Sequence, residues 1–263
     1  MKLRAMTHAD IPAGLRLCRA SNWNQLDDDW RFFLDHGAAT LAVRDGAVVG
    51  SVAWLPFGRD FAWLSMMLVD PAERRSGIGS QLMEAALDAL GDAHVRLDAT
   101  PAGEPMYRRF GFQSEYELAR TKVTAGLHRP SPRVRAMEPA DLPAVFKRDS
   151  DVFGANRSAL LAELYRRAPD LAWTADGAYS FGRPGHLYSQ IGPVVADSAE
   201  GASNLVEHCL SHHAGRTFAL DIPQRVDGLT FPVERPFLRM SRGAPRSHGI
   251  PERVFAITGP EFG

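Results

Sequence analysis

Arg74-Arg75-Ser76-Gly77-Ile78-Gly79-Ser80 places two cationic side chains and two glycines just ahead of a helix-forming run. Such a turn can seat an anion. The first N–H groups of a helix have no partner within it, and the helix dipole favours negative charge at that end. Gly77 and Gly79 have no Cβ to hold a phosphate away from the backbone, and Arg74 and Arg75 add positive charge. No Lys-Ser or Lys-Thr follows the glycines, so the turn is not a nucleotide P-loop. It also lacks the three-glycine spacing of a dinucleotide fingerprint.

The elements that must hold this turn can be read around it. Ala62-Trp63-Leu64-Ser65-Met66-Met67-Leu68-Val69 is apolar on both faces, as a strand covered on each side would be, and Asp70-Pro71 ends it. After the turn a helix is expected to about Leu90, with Ile78, Leu82, Ala85 and Ala89 on its apolar stripe and Gly91 as the stop. Upstream, Leu3–Met6 reads as a strand and Thr7 can cap a helix that carries Ile11, Leu15 and Cys18 on one face. A second short helix runs through Phe33 and Leu34, then Thr40–Arg44 and Ala47–Trp54 flank the turn dipeptide Asp45-Gly46 as a hairpin. Downstream, His94–Thr100 alternates Val95, Leu97 and Ala99 against Arg96, Asp98 and Thr100, which reads as a strand with one face outward. Pro105 opens a short helix with Met106, Tyr107 and Phe110, closed by Gly111. The order predicts an α/β (α+β) mixed-sheet fold.

This plan occurs twice. Residues 3–13, LRAMTHADIPA, return as 134–144, VRAMEPADLPA, and Asp45-Gly46-Ala47 returns at the same offset as Asp176-Gly177-Ala178. The intervening Lys122–Pro132 is rich in Gly, Pro and Ser, so tandem domains are expected over 1–125 and 134–263 with a linker at 126–133. A chain of 263 residues has room for both. With 45% apolar residues, 23% charged residues and a net charge of −1, the composition suits a soluble, cytoplasmic protein. Nucleic acid or an anionic membrane as principal partner would call for an excess of Lys and Arg. The two cysteines, Cys18 and Cys209, are too few for a disulfide framework or a thiolate metal site. Met1–Thr7 has no apolar run that could serve as a signal peptide and no stretch approaches the roughly 20 apolar residues of a membrane span, so a cytosolic protein is expected.

Arg74-Arg75-Ser76-Gly77-Ile78-Gly79 resembles the Arg/Gln-x-x-Gly-x-Gly/Ala signature of the GCN5-related N-acetyltransferase (GNAT) superfamily. Met67-Leu68-Val69-Asp70-Pro71 is similar to the strand end before it, and Tyr107-Arg108-Arg109-Phe110-Gly111-Phe112 to the Tyr-x-x-x-Gly-Phe segment near the end of that domain. The resemblance spans nearly all of the first copy. It implies that Arg74, Arg75, Ser76, Gly77, Ile78, Gly79 and Ser80 hold the pyrophosphate of acetyl-CoA. It further implies that the backbone of Met67, Leu68 and Val69 pairs with the pantetheine arm like an added strand, in a slot where this strand splays from its neighbour. An N–H from the strand end would hold the developing oxyanion.

Tyr107 stands where the family often has the general acid for the departing thiolate; packing beside Phe110 is the other reading. Candidates for a base toward the amine are Asp98, His36 and Asp27–Asp29. Trp23, Asn24 and Gln25 lie in the segment that roofs the acceptor side in this superfamily, although Trp23 also suits a core anchor.

In the second copy, Ile191–Ser203 keeps the strand, turn and helix but has no Arg pair and no Gly-x-Gly, and Glu200 sits where phosphate would come. No Tyr-x-x-x-Gly-Phe follows Phe218–Ile222. This copy resembles a degenerate acetyltransferase domain that packs on the first. Asp151, Asn156 and Arg157 form a polar loop that could face the cleft. His208 and His212 sit one helical turn apart, without evident further metal ligands. Arg225, Arg235, Arg239, Arg242 and Arg246 read as a solvated surface. The expectation is an N-acetyltransferase moving acetyl from acetyl-CoA to an amine, a small molecule by preference, with no metal; a homodimer is left open. The alternative is a non-catalytic acyl-CoA sensor or interaction module.

Overall fold

The structure, a computed structural model, describes residues 1–58, 61–126, 128–244 and 249–263. Leu127 of the linker and Arg246 fall outside these residues. The first half runs β1 (Lys2–Ala5), α1 (Ile11–Ala20), α2 (Asp27–His36), β2 (Ala38–Arg44), β3 (Ala47–Pro56), β4 (Phe61–Val69), α3 (Ile78–Leu90), β5 (His94–Ala99), α4 (Glu104–Arg109) and β6 (Gln113–Thr124). The second half runs β7 (Arg135–Ala136), α5 (Leu142–Phe153), α6 (Ser158–Arg167), β8 (Trp173–Ala175), β9 (Ala178–Arg183) and β10 (Ser189–Ala196). It continues through α7 (Ala199–Ser211), β11 (Thr217–Pro223), β12 (Val233–Arg242) and β13 (Val254–Ala256).

The repeat is structural as well as sequential. Arg4 forks onto Asp10 at 2.8 and 2.7 Å, and Arg135 forks onto Asp141 at 2.7 Å through each nitrogen. Asp10 also accepts from the Thr7 N–H, and Asp141 from the Glu138 N–H, so the same Arg–Asp clasp closes the strand-to-helix turn in each half.

All strands join one sheet in the order β1-β2-β3-β4-β5-β12-β6-β11-β10-β9-β8-β7, with β13 against β10. The halves exchange their last long strands. β12 of the second half pairs with β5 of the first, and β6 of the first pairs with β11 of the second, all antiparallel. The chain passes between halves near residue 130, but the sheet does not divide there.

Alternate residues of the inner strands enter separate cores. Ala53, Leu55 and Trp63 join Trp30 and Phe33 of α2 and Phe153 of α5, while Val52 and Leu64 pack with α3. This is why β4 is apolar on both faces. The first of these cores draws on both halves, and Phe262 of the C-terminal tail stacks on Phe33 at 5.3 Å. The buried stripe of α3 is Ile78, Leu82, Met83, Ala86 and Leu87. Ala85 is half-buried and Ala89 exposed, a rotation of the expected stripe. It brings Ile78 and Leu82 over Gly50, where an added Cβ would lie 3.0 Å from each.

Candidate active site

The anion turn has unusual backbone geometry. Arg75 takes φ +63° and Gly77 φ +83°. The left-handed region is costly for a side chain larger than glycine, so a strained Arg75 held at a turn points to a functional reason. At Gly77 a Cβ would meet nothing within 4 Å, so glycine is needed there for its φ rather than for space. At Gly79 a Cβ would come within 3.2 Å of Met106 Sδ. The first backbone bond into α3 runs from Gln81 N–H to Gly77 O at 3.2 Å, which leaves the amides of Ile78, Gly79 and Ser80 over. No acidic residue stands in this first turn.

β4 turns away from β5 as the anion turn is approached. The parallel pairing covers only Phe61–Trp63 against His94–Arg96. On the other side, the register against β3 slips between Ser51 and Ala53, where Met66 takes φ +52° and its carbonyl accepts the Ser51 hydroxyl at 2.9 Å. This bulge bends the strand where the slot opens. An open groove follows, lined by Met67, Leu68, Val69, Arg74, Arg75, Gly77, Ile78, Gly79 and Ser80, and by Asp98 and Tyr107. Ser76 does not line it; its hydroxyl donates to Glu73 O and braces the turn.

A second, much narrower cavity adjoins the groove and shares Trp23, Met67, Asp98, Thr100, Tyr107 and Arg235 with it. Its remaining walls include Gln25, Ser65, Met66, Arg120, Phe237, Pro260 and Glu261. Tyr107 is buried where the two spaces meet, and burial pushes its phenol above the ordinary value. Its hydroxyl bonds to no described residue. The ring packs against Phe112 at a centroid distance of 5.9 Å.

Asp98 also borders both spaces, but its strand face is covered rather than outward. β12 lies against it, and Arg239 Nε and Nη2 donate to its two carboxylate oxygens at 2.8 and 2.9 Å. Desolvation pushes the Asp98 carboxyl above the usual carboxylate range, against the pull of Arg239. Arg239 donates further to Tyr116 Oη at 2.7 Å and lies 4.6 Å over the Trp63 ring. The expectation of a solvated arginine surface therefore fails for Arg239, which is 4% exposed, and for half-buried Arg235. β12 presents Arg235, Phe237 and Arg239 on one face, and strand exchange turns that face to the cavity. Arg225 stacks on Tyr116 at 3.7 Å.

The roof segment divides. Trp23 lines both spaces, and Gln25 lines the inner cavity with its Oε1 buried and without a partner. Asn24 also lines the inner cavity, but its amide is committed to the second half: Oδ1 accepts from Leu187 and Tyr188 N–H at 2.7 and 3.2 Å, and Nδ2 donates to Tyr188 O at 3.0 Å. Of the other base candidates, His36 is exposed against Phe32, Asp27 pairs with Arg31, and Asp28 with Arg167. Asp29 is buried between Arg167 and Arg183. None of these lines either space.

Arg157 is likewise no cleft residue. It is buried, forks onto Asp149 at 2.8 and 2.9 Å, and donates to Thr258 Oγ1 and Gly263 O, tying down the tail. Asp151 and Asn156 are exposed away from both spaces. His208 Nδ1 donates to Ser131 O at 3.1 Å and its ring stacks on His212 at 4.4 Å, and no metal-binding cluster occurs among the described residues.

In the second half the corresponding slot is filled. β10 pairs with β11 only at Ser189 and Gln190, and β13 with Ile257 then enters the gap, bridging to β10 and Asp221. Gly192 admits this close approach, since a Cβ there would lie 2.0 Å from Ile257 O. The N-terminus of α7 is capped by Ser198, whose Oγ accepts from Gly201 N–H at 3.1 Å, with Glu200 in the first turn. The chain itself thus takes the positions that stay open in the first half.

Two family models, each described as an acetyltransferase (GNAT) domain, match residues 35–114 and 145–252. The chain belongs to the GNAT superfamily and is an acyltransferase. Within that superfamily it is a tandem member, with two copies of the domain in one mixed α/β sheet. It is 24% identical over 233 residues to an uncharacterized N-acetyltransferase, YitH, of Bacillus subtilis, covering 82% of this chain and 80% of the relative. It is 28% identical over 152 residues to the holothin acyltransferase of a Pseudoalteromonas species, covering 56% and 51% respectively. A solved structure from Pyrococcus horikoshii described as a candidate acetyltransferase superposes with TM-score 0.84 at 22% identity, covering 100% of this chain and 95% of that one. A tandem GNAT protein from the clavulanic acid biosynthesis pathway gives 0.66 at 16% identity, covering 94% and 99%. No helix among the described residues is long and apolar enough to cross a membrane.

Proposed function

We propose that the first half transfers an acetyl group from acetyl-CoA to the amine of a small molecule, and that the second half closes the acceptor side. The observation that carries this reading is the contrast between the two slots. The β4–β5 slot runs open into an amide-rich, cationic turn, whereas its counterpart is filled by β13. The residues fit the donor: Arg74, Arg75, Gly77, Ile78, Gly79 and Ser80 for the diphosphate, with Ser76 bracing their turn. Met67, Leu68 and Val69 offer backbone to the pantetheine amides.

Acetyl transfer forms an N–C bond, breaks the C–S bond and moves one proton from nitrogen to sulfur. A phenol is protonated at neutral pH, and from the junction of the two spaces Tyr107 donates to the departing thiolate; burial makes it hold that proton more tightly, so transfer comes only as charge builds on sulfur. Asp98 receives the amine proton, directly or through water, on lone pairs that Arg239 leaves unused; its raised pKa favours taking one, and solvent then removes it and reprotonates the Tyr107 phenolate for the next turnover. Trp23 and Gln25 contact the acceptor. Asn24 holds their segment against the second half. A non-catalytic sensor would not need an unpartnered phenol at the junction.

Calorimetry with coenzyme A tests the reading. The wild-type chain should bind, and Gly79→Glu should not, because it sets a carboxylate at the helix N-terminus beside a flexible Met106 that can yield. Absence of heat with the wild type would remove the proposal.

A further inference from the structure

We infer that the acceptor amine carries a carboxylate, and that Arg235 is the residue that selects it. The inference rests on the proposed acetyl transfer for the identity of the second substrate. Its basis is a charge imbalance across three strands. In register, Asp221 of β11 faces Arg120 of β6, and Arg120 faces Arg235 of β12. One carboxylate thus serves a row with two guanidinium groups. Asp221 is already spent: it accepts from Arg120 at 2.8 Å through both oxygens and from Gln190 Nε2 at 2.6 Å. The neighbouring row is balanced, since Asp98 takes Arg239. Glu234, next in sequence, is taken by Lys122 at 2.6 Å. Among the described residues Arg235 has no ion-pair partner, and its Nε is buried without a hydrogen bond. Tyr188 is turned to Arg120 instead.

Like charges directly opposite in a sheet are unfavourable, and so is a buried donor left unpaired. A ligand anion in the inner cavity relieves both. The donor does not supply that anion. Its diphosphate belongs at the turn around Gly77, and the pantetheine arm that reaches this end of the groove is uncharged. The cavity's own carboxylates, Asp98 and Glu261, are held by Arg239 and Arg183, which leaves the acceptor as the source of a negative charge for Arg235. The same cavity offers Gln25 Oε1, also buried and unpartnered, as an acceptor for the N–H groups of an amine. Arg235 lies 4.7 Å over the Phe237 ring with its Nε unpaired, and this donor and the unpaired Gln25 carbonyl in one small space suit the two ends of an amino acid.

The test uses the full chain saturated with coenzyme A, and reads thermal midpoints with the proteinogenic amino acids and with their carboxamides. At least one amino acid should raise the midpoint and bind about 10- to 100-fold more tightly than its carboxamide, the range expected for a charge-assisted hydrogen bond. Arg235→Gln should abolish that preference and Arg235→Lys restore part of it. The unliganded Arg235→Gln chain should be no less stable than wild type, because the repulsion with Arg120 is gone. The inference is overturned if no amino acid responds, if carboxamides respond equally, or if Arg235→Gln keeps the preference. Coenzyme A binding, measured separately by calorimetry, keeps this failure distinct from failure of the cofactor site.

Discussion

Arg239→Leu separates what Asp98 does for the fold from what it does for the chemistry. Arg239 and Asp98 join the strand contributed by the second half to the last strand before it, with side chains 5% and 0% exposed. Removing the guanidinium leaves a carboxylate buried opposite leucine, and removing one partner of such a pair costs about 3–5 kcal/mol. Tyr116 Oη loses its donor as well, for about a further 1 kcal/mol. Against a total stability of about 5–15 kcal/mol, this loss should move a urea midpoint by a large fraction of its value. Asp98→Leu alone should cost a similar amount, because it strands the cation. The double variant should then be more stable than either single one, since an apolar pair of similar volume often replaces a buried ion pair at little cost. Denaturation curves for the four proteins give the coupling directly. If the double variant loses the sum of the single losses, the pair is not coupled and the account of the exchanged strand is wrong. The double variant also bears on the chemistry. If it is folded but inactive, Asp98 has a role beyond pairing.

Tyr107→Phe should lower kcat by about 10²–10⁴-fold with little change in KM for the donor, the range for loss of a general acid; steady-state kinetics with an unchanged kcat would return Tyr107 to packing against Phe112. Asp10 bears on pH: the hydrogen bonds from Arg4 hold its carboxyl well below the usual carboxylate range. Its contribution is therefore present above the unfolded-state pKa of about 4 and lost as pH falls through the native value. Asp10→Asn should lower stability at neutral pH and flatten the acid limb of a stability–pH curve; an unchanged limb would refute the assignment.

Local chemistry was legible without coordinates. The β4 run, the Asp45-Gly46 hairpin, the turn at Gly77 and the helix after it each depend on neighbours within a few residues, and periodicity and φ preference report on those. The anion turn could be read because backbone amides, glycines and arginines stand together in the chain. What covered each strand could not. Asp98 and Arg239 each alternate onto a definite face, but alternation does not say whether that face meets water or another strand. Arg239 was read as solvated for this reason, and so was Arg235. A strand with arginines at every fourth position was the available signal, since Arg235, Phe237 and Arg239 share one side.

The sequence alone determined the duplication, the elements of each copy and the turn proposed to hold a diphosphate, because those follow from local propensity and spacing. The tertiary structure decided the exchange of β6 and β12, the burial of β13 in the second slot and the cavity with Arg235 at its wall. The strand exchange and the cavity join residues a hundred or more positions apart along the chain, such as Arg239 with Asp98, and β13 comes back to β10 across α7, β11 and β12. Such pairings are settled by which strand edges and side-chain faces match once the whole sheet assembles.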